Sequence, residues 1–268
     1  IGMTSLYLTG GEPLLHPDFD AIVSYIKSKN IAMVLATNGT NVKSKIGIIK
    51  DTISRVSVSM DGIGEVHDEF RNTPGVFDEM MEAIALLREN GVPVRFSSMI
   101  WKKNAGQIEE MIVRAKEAGA YKIHFSMLVA AGRAAKNIED IRVPTEDYPV
   151  LVNIVHGLID KYSTEDFVVS AIRDYRIDGG SESCQGGARI LHINTRGEIF
   201  PCSWIGKGAL GKEYGTQWEK GNIRECLERA GALHDLAKKR TRLSGTSGCP
   251  AMADGPLGED PLNKLLGA

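Results

Sequence analysis

Over about the first 160 residues of the chain, segments in which every second residue is apolar alternate with segments in which every third or fourth residue is apolar. Their spacing predicts strands at 5–9, 31–37, 54–60, 93–99 and 121–128, and helices at 18–28, 41–50, 76–89, 106–118 and 145–161. The helix at 76–89 is the clearest, because apolar residues from Val76 to Leu87 share one face and Asn90-Gly91 ends it. Strands that alternate with helices predict parallel βα units, and this alternation changes near Gly132.

The predicted strands have one polar face. Ser57 and Ser59 alternate with valines, residues 5–9 alternate in the same way, and 122–127 repeat the pattern. Bulky branched residues usually fill a packed barrel interior. Small polar residues on several strands therefore indicate a lumen that holds a polar ligand. Half-exposed strands of an open sheet are the alternative.

Composition narrows the class of protein. The chain has 268 residues, 43% of them hydrophobic and 25% charged, which is typical of a globular protein with one larger and one smaller domain. A formal net charge of -2 gives no electrostatic reason for nucleic acid or an anionic membrane as the main partner. No apolar run approaches the roughly 18 residues of a membrane span. We expect a cytoplasmic protein.

The four cysteines all lie in the last third of the chain, at 184, 202, 226 and 249. A disulfide framework is typical of small secreted folds, so cytosolic thiols, some of them metal ligands, are the better interpretation. The segment that holds them is also rich in glycine. We therefore predict a barrel-like domain at 1–144, a linking helix at 145–164 and a second domain at 165–268.

Four motifs in the first domain resemble those of radical S-adenosylmethionine (SAM) enzymes. They are Thr-Gly-Gly-Glu-Pro-Leu-Leu-His-Pro-Asp-Phe at 9–19, Leu-Ala-Thr-Asn-Gly-Thr at 35–40, Val-Ser-Met-Asp-Gly at 58–62 and His-Asp-Glu-Phe-Arg at 67–71. The resemblance implies that the amino group of SAM is held by the first motif, and its carboxylate by Ser59 and Arg71. The adenine would pack near Val129. The full set of cofactor-binding residues that it implies is Gly10, Gly11, Glu12, Thr37, Asn38, Ser59, Asp61, Arg71 and Val129.

The same resemblance implies a partial (β/α)6 barrel that begins at the family's second strand. The family's Cys-x-x-x-Cys-x-x-Cys loop follows its first strand and binds the [4Fe-4S] cluster that cleaves SAM. That motif does not occur in the 268 residues. We therefore expect the chain to be a fragment that does not cleave SAM by itself.

The cysteine-bearing tail predicts a hairpin whose turn lies at Asn194 to Gly197, with Cys184 and Cys202 beyond its strands. This arrangement resembles the small α+β auxiliary-cluster domain called SPASM, or twitch in its shorter form. The resemblance implies that Cys184, Cys202 and Cys249 are ligands of one auxiliary [4Fe-4S] cluster. Cys226 lies in a predicted helical stretch and is more typical of a buried thiol. The sequence does not assign the fourth ligand of this cluster.

The resemblance implies reductive cleavage of SAM to methionine and a 5′-deoxyadenosyl radical, which abstracts hydrogen from the substrate. The implied partners are an electron donor such as ferredoxin or flavodoxin, and a peptide or cofactor precursor, for instance a tetrapyrrole or a metal-binding pterin. His124 on the polar face either contacts substrate or is a satisfied core histidine. The alternatives are a metal-free TIM-barrel lyase that uses Lys122, and a non-catalytic SAM- or peptide-binding scaffold.

Overall fold

Six parallel strands form one sheet in the order in which they occur along the chain. They are β1 (Ser5–Leu8), β2 (Ala32–Thr37), β3 (Arg55–Ser59), β4 (Val94–Ile100), β5 (Lys122–Met127) and β6 (Val168–Ser170). The computed structural model describes residues 3–128, 136–171, 190–200, 203 and 215–218. The α/β class and the five predicted parallel strands are confirmed.

The helices connect these strands. They are α1 (Phe19–Ser28), α2 (Val42–Thr52), α3 (Glu65–Arg71), α4 (Val76–Glu89), α5 (Ile108–Glu117), α6 (Ile138–Ile141) and α7 (Tyr148–Tyr162). Short 3-10 turns occupy Pro13–Leu15, Ala105–Gln107 and Thr145–Asp147. Among the helices that the structure describes, none is long and apolar enough to cross a membrane.

The chain divides into two compact units, residues 1–128 with 141–172 and residues 129–140 with 173–268. The sixth strand, β6, pairs with β5 and belongs to the first unit, although the sequence analysis assigned 165–268 to the second domain. β6 has only three residues, which are too few to show an alternating pattern. Its partner strand is also distant in sequence, since Val168 pairs with Lys122, 46 positions earlier. Pattern reasoning therefore did not detect this strand.

The two faces of the large sheet differ in polarity, as the alternation predicted. On one face Met33, Leu35, Val58, Phe96 and Ile123 are fully buried and form the core beneath the helices. The opposite face carries a row of in-register neighbours from four strands, Ser59, Ser97, His124 and Ser170. This face is half-buried at most of its positions. The His124 ring and the Ser170 hydroxyl are hydrogen-bonded to each other at 2.8 Å.

The second unit contains a three-stranded antiparallel sheet of β7 (His192–Ile193), β8 (Glu198–Phe200) and β9 (Thr216–Gln217). The predicted hairpin and its turn are confirmed. The Gly197 amide donates to the Asn194 carbonyl at 3.0 Å, and Gly197 has a φ of 77°, which favours glycine. All four cysteines lie outside the described residues, so their predicted roles stay predictions.

Candidate functional site

The carboxyl ends of β1, β2 and β3 lie side by side at one edge of the sheet, where parallel α/β folds bind their ligands. Gly10 and Gly11 follow β1 at this edge and are exposed. A Cβ atom added to either glycine would have no heavy atom within 4 Å. The backbone is therefore open to direct contact with a ligand.

Glu12 ties the glycine loop to the end of β2. One carboxylate oxygen accepts hydrogen bonds from the Thr37 hydroxyl at 2.8 Å and the Leu14 amide at 3.2 Å, and the other accepts from the Asn38 amide at 2.8 Å. The Thr37 hydroxyl accepts in turn from the Gly39 amide at 3.1 Å. An ionised carboxylate can accept about four hydrogen bonds, so Glu12 is fixed in place and retains acceptor capacity for a cation.

Asp61 and Arg71 form an ion pair beyond the end of β3. The Asp61 side chain is only 3% exposed, whereas that of Arg71 is 30% exposed. The second carboxylate oxygen of Asp61 accepts from the Met99 amide at 2.7 Å. The buried Nε of Arg71 has no hydrogen-bond partner among the described residues. Arg71 therefore keeps a directed donor for a further anion, while Asp61 uses both its oxygens inside the protein.

The backbone of Asp61 is held as firmly as its side chain. Its amide donates to Nδ1 of His67 at 3.0 Å, and its carbonyl accepts from the Trp101 indole at 2.8 Å and the Asn104 side-chain amide at 3.0 Å. Asn104 also donates to the Met99 carbonyl at 2.8 Å. Sequence reasoning did not identify Trp101 or Asn104, since neither belongs to a motif and only the fold brings them to Asp61.

His67 supports this network as a neutral imidazole. Burial lowers the pKa of His67 to about 4, and the positive charge of Arg71 acts in the same direction. Its unprotonated Nδ1 can therefore accept from the Asp61 amide at neutral pH. His67 lies in the first turns of α3, where it is buried, and its ring contacts that of Phe77 edge-on with the ring centres 5.8 Å apart.

The position of α3, which carries Arg71, depends on a close backbone approach. A Cβ on Gly62 would lie 2.9 Å from the backbone nitrogen of His67 and 2.6 Å from Cγ1 of Val66, and the φ of Gly62 is 154°. At the next turn, the Asp68 carboxylate accepts hydrogen bonds from the amides of Gly75 and Phe77 at the start of α4. Asp68 thus supplies the cap that a glycine at the N-cap position cannot provide.

Most of the residues implied by the resemblance fall into two networks at this edge. Thr37 and Asn38 both donate hydrogen bonds to the Glu12 carboxylate, beside Gly10 and Gly11. Asp61 and Arg71 form the second network. Ser59 ends β3 and is half-buried on the polar face. Val129 lies outside the described residues, together with Cys184, Cys202 and Cys249. The role of each of these residues toward a cofactor stays a prediction.

Comparison with known proteins identifies the class. Residues 1–115 match the family described as the radical SAM superfamily. The chain is 28% identical over 227 residues to the AdoMet-dependent heme synthase of Methanosarcina barkeri, covering 76% of this chain and 64% of that protein. It is 26% identical over 226 residues to the subtilosin biosynthesis protein AlbA of Bacillus subtilis, covering 81% of this chain and 48% of that protein.

A solved structure shares the fold. The structure of native anSMEcpe with bound AdoMet and Kp18Cys peptide aligns with a TM-score of 0.67 and 19% identity, covering 90% of this chain and 70% of that one. The sheet and these matches define an α/β fold of the radical SAM type. Residues 1–115, which contain both hydrogen-bonded networks of the site, match the radical SAM superfamily. The chain spans about half to two thirds of the length of the two curated relatives described above.

Proposed function

We propose that the whole protein is a radical SAM enzyme that modifies a peptide or a cofactor precursor by hydrogen abstraction. The observation that carries this proposal is that a carboxylate and a guanidinium lie at the same edge of the sheet. The Glu12 carboxylate is held by hydrogen bonds, and the Nε of Arg71 has no hydrogen-bond partner among the described residues. SAM ends in an ammonium and a carboxylate, and these two groups need such an acceptor and such a donor. The residues present therefore fit SAM.

Each network has a distinct task in the proposed site. Glu12 accepts from the ammonium while Thr37 and Asn38 hold its carboxylate in place. Arg71 donates to the carboxylate of the ligand through its unpartnered Nε, since Asp61 holds another of its nitrogens. When SAM and a reduced [4Fe-4S] cluster are bound, they supply the 5′-deoxyadenosyl radical that abstracts hydrogen. The chain orients the ligand and the target C–H bond.

The two curated relatives support the proposed range of substrates. One is named as a heme synthase and the other as a bacteriocin biosynthesis protein. Heme synthesis and bacteriocin biosynthesis, the processes in these names, support a cofactor precursor or a peptide as the substrate of this protein. We propose an electron donor of the ferredoxin or flavodoxin type, because the reductive cleavage of SAM consumes one electron.

Activity of the whole gene product tests the proposed reaction. Reconstituted anaerobically and reduced with dithionite, it is expected to form 5′-deoxyadenosine from SAM above a protein-free control. The measurement is chromatography of the quenched reaction with mass detection. A reconstituted protein that binds SAM but forms no 5′-deoxyadenosine would show that it is a binding scaffold instead of a radical enzyme.

We further propose that Cys184, Cys202 and Cys249 hold one auxiliary [4Fe-4S] cluster. The 268-residue chain, reconstituted without oxygen, is expected to bind about four irons. Replacing the three cysteines by alanine removes their thiolates and is expected to abolish nearly all of this iron, measured by colorimetric analysis and the absorbance near the cluster's charge-transfer band. Cys226→Ala is the matched control and is expected to retain it. Iron that survives the triple replacement contradicts the ligand set.

A further inference from the structure

The polar face of the sheet holds two cations next to each other. Arg95 of β4 and Lys122 of β5 are direct partners in the parallel register, so their side chains leave the same face of adjacent strands. Like charges in directly opposite positions destabilise a sheet. None of the six strands contains an aspartate or a glutamate that could offset them. This face is therefore built with a local excess of positive charge.

Arg95 is held in place by neutral groups. Its Nε donates to the Ser57 hydroxyl at 3.1 Å, and its Nη2 donates to the Tyr7 hydroxyl at 2.9 Å. The guanidinium carbon also lies 5.6 Å from the centre of the Tyr7 ring. Within the described part of the chain, neither Arg95 nor Lys122 forms an ion pair. The guanidinium is thus oriented while its charge is left without a carboxylate partner.

We propose that Arg95 and Lys122 bind a carboxylate group of the substrate, so that the substrate is an anion carrying at least one carboxylate. This inference rests on the proposed function, because it assigns the polar face to the substrate. An arginine whose orientation is fixed by hydroxyls is suited to planar recognition of a carboxylate, and the lysine adds a second charge. The carboxylate can belong to an acidic side chain of a peptide or to a cofactor precursor.

The location of the two cations also orients the substrate. Ser97 lies two residues beyond Arg95 along β4, and its register partner Ser59 lies at the carboxyl end of β3. Two residues of a strand span about 7 Å. A carboxylate bound at Arg95 would therefore anchor the substrate about 7 Å from the row of Ser59 and Ser97, toward the amino ends of the strands. The rest of the substrate then extends toward the edge that carries Glu12 and Arg71.

Binding measurements on charge-matched probes test this site. The probes are coproporphyrin III with its tetra-amide, and a hexaglutamate peptide with its hexaglutamine counterpart. The wild-type chain is expected to bind at least one carboxylate probe more tightly than its amide. Preference for the porphyrin or for the peptide then identifies the source of the carboxylate. If neither carboxylate probe binds more tightly than its neutral counterpart, the inference is wrong.

Substitutions on the sheet locate the binding. Arg95→Gln and Lys122→Gln are each expected to weaken binding of the carboxylate probe by about tenfold or more, while Arg95→Lys loses less because the charge remains. Arg114→Gln removes the same net charge from α5, where Arg114 pairs with Glu117 at the surface, and is expected to bind like wild type. Equal affinity in all variants would overturn the site.

A titration with SAM distinguishes failure of the carboxylate site from failure of the proposed function. SAM affinity of the whole protein is expected to be unchanged in Arg95→Gln and Lys122→Gln, because neither side chain belongs to the Glu12 or the Arg71 network. Absence of SAM binding in the wild type would count against the proposed function. Wild-type SAM binding together with unaltered probe binding in both variants would count against the carboxylate site alone.

Discussion

Arg71→Ala is expected to weaken SAM binding by the whole protein by about 10- to 150-fold, and Glu12→Gln by a similar factor. Each substitution removes one charged hydrogen-bond partner from a partly desolvated site, which costs about 1.5–3 kcal/mol. Arg71 would lose the donation from its buried Nε, and Glu12 the charge that attracts an ammonium. Titration calorimetry with SAM on the reconstituted protein measures both effects.

A neighbouring cation provides the matched control for Arg71. Lys103 pairs with Glu69, which lies on the same helix as Arg71, but both members of this pair are more than half exposed. Lys103→Ala is expected to bind SAM like wild type, because an exposed pair contributes little and Lys103 belongs to neither network. If Arg71→Ala binds SAM with wild-type affinity while remaining folded, or if Lys103→Ala weakens binding equally, Arg71 is not the carboxylate anchor.

Asp61→Ala is expected to lower the free energy of unfolding by about 3–5 kcal/mol, the usual cost of breaking a buried ion pair by removing one partner. The substitution leaves Arg71 without its counter-ion and the Met99 amide without its acceptor. Urea denaturation followed by circular dichroism measures the loss. Asp20→Ala removes an exposed carboxylate paired with Lys45 and is expected to cost at most about 1 kcal/mol. Equal losses in the two variants would contradict a supporting role for Asp61.

The pH dependence of this pair provides an independent check on Asp61. Burial raises the pKa of the Asp61 carboxyl above 3.8, against the lowering effects of Arg71 and the Met99 amide. A group whose pKa is raised on folding binds its proton more tightly in the folded state, so its contribution to stability declines as the pH rises above that value. Wild type is therefore expected to lose stability relative to Asp61→Asn as the pH rises above about 4. A relative gain as the pH rises would show that the ion pair outweighs burial.

The tertiary structure accounts for the parts of the site that pattern reasoning missed. Trp101 and Asn104 follow β4, about 40 residues after Asp61, yet both donate to its carbonyl. Their hydrogen bonds exist only because β3 and β4 are neighbours in the parallel sheet. Tyr7 on β1 and Arg95 on β4 are separated by 88 positions and by two intervening strands, and their side chains meet on the polar face of the sheet. No local spacing along the chain encodes such pairs, so periodicity could not predict them.

The sequence by itself determined five of the six strands of the large sheet and the five longest helices, since periodicity depends on which side chains a strand or helix buries. It predicted the parallel βα units, the polar face of the strands, the helix at 76–89 and the hairpin turn at Gly197, all through short-range patterns. Only the tertiary structure decided that Asp61 uses both carboxylate oxygens inside the protein and that Arg71 keeps a free donor. The physical reason is that hydrogen-bond satisfaction of a buried group depends on partners from other strands and helices, which are adjacent in space alone.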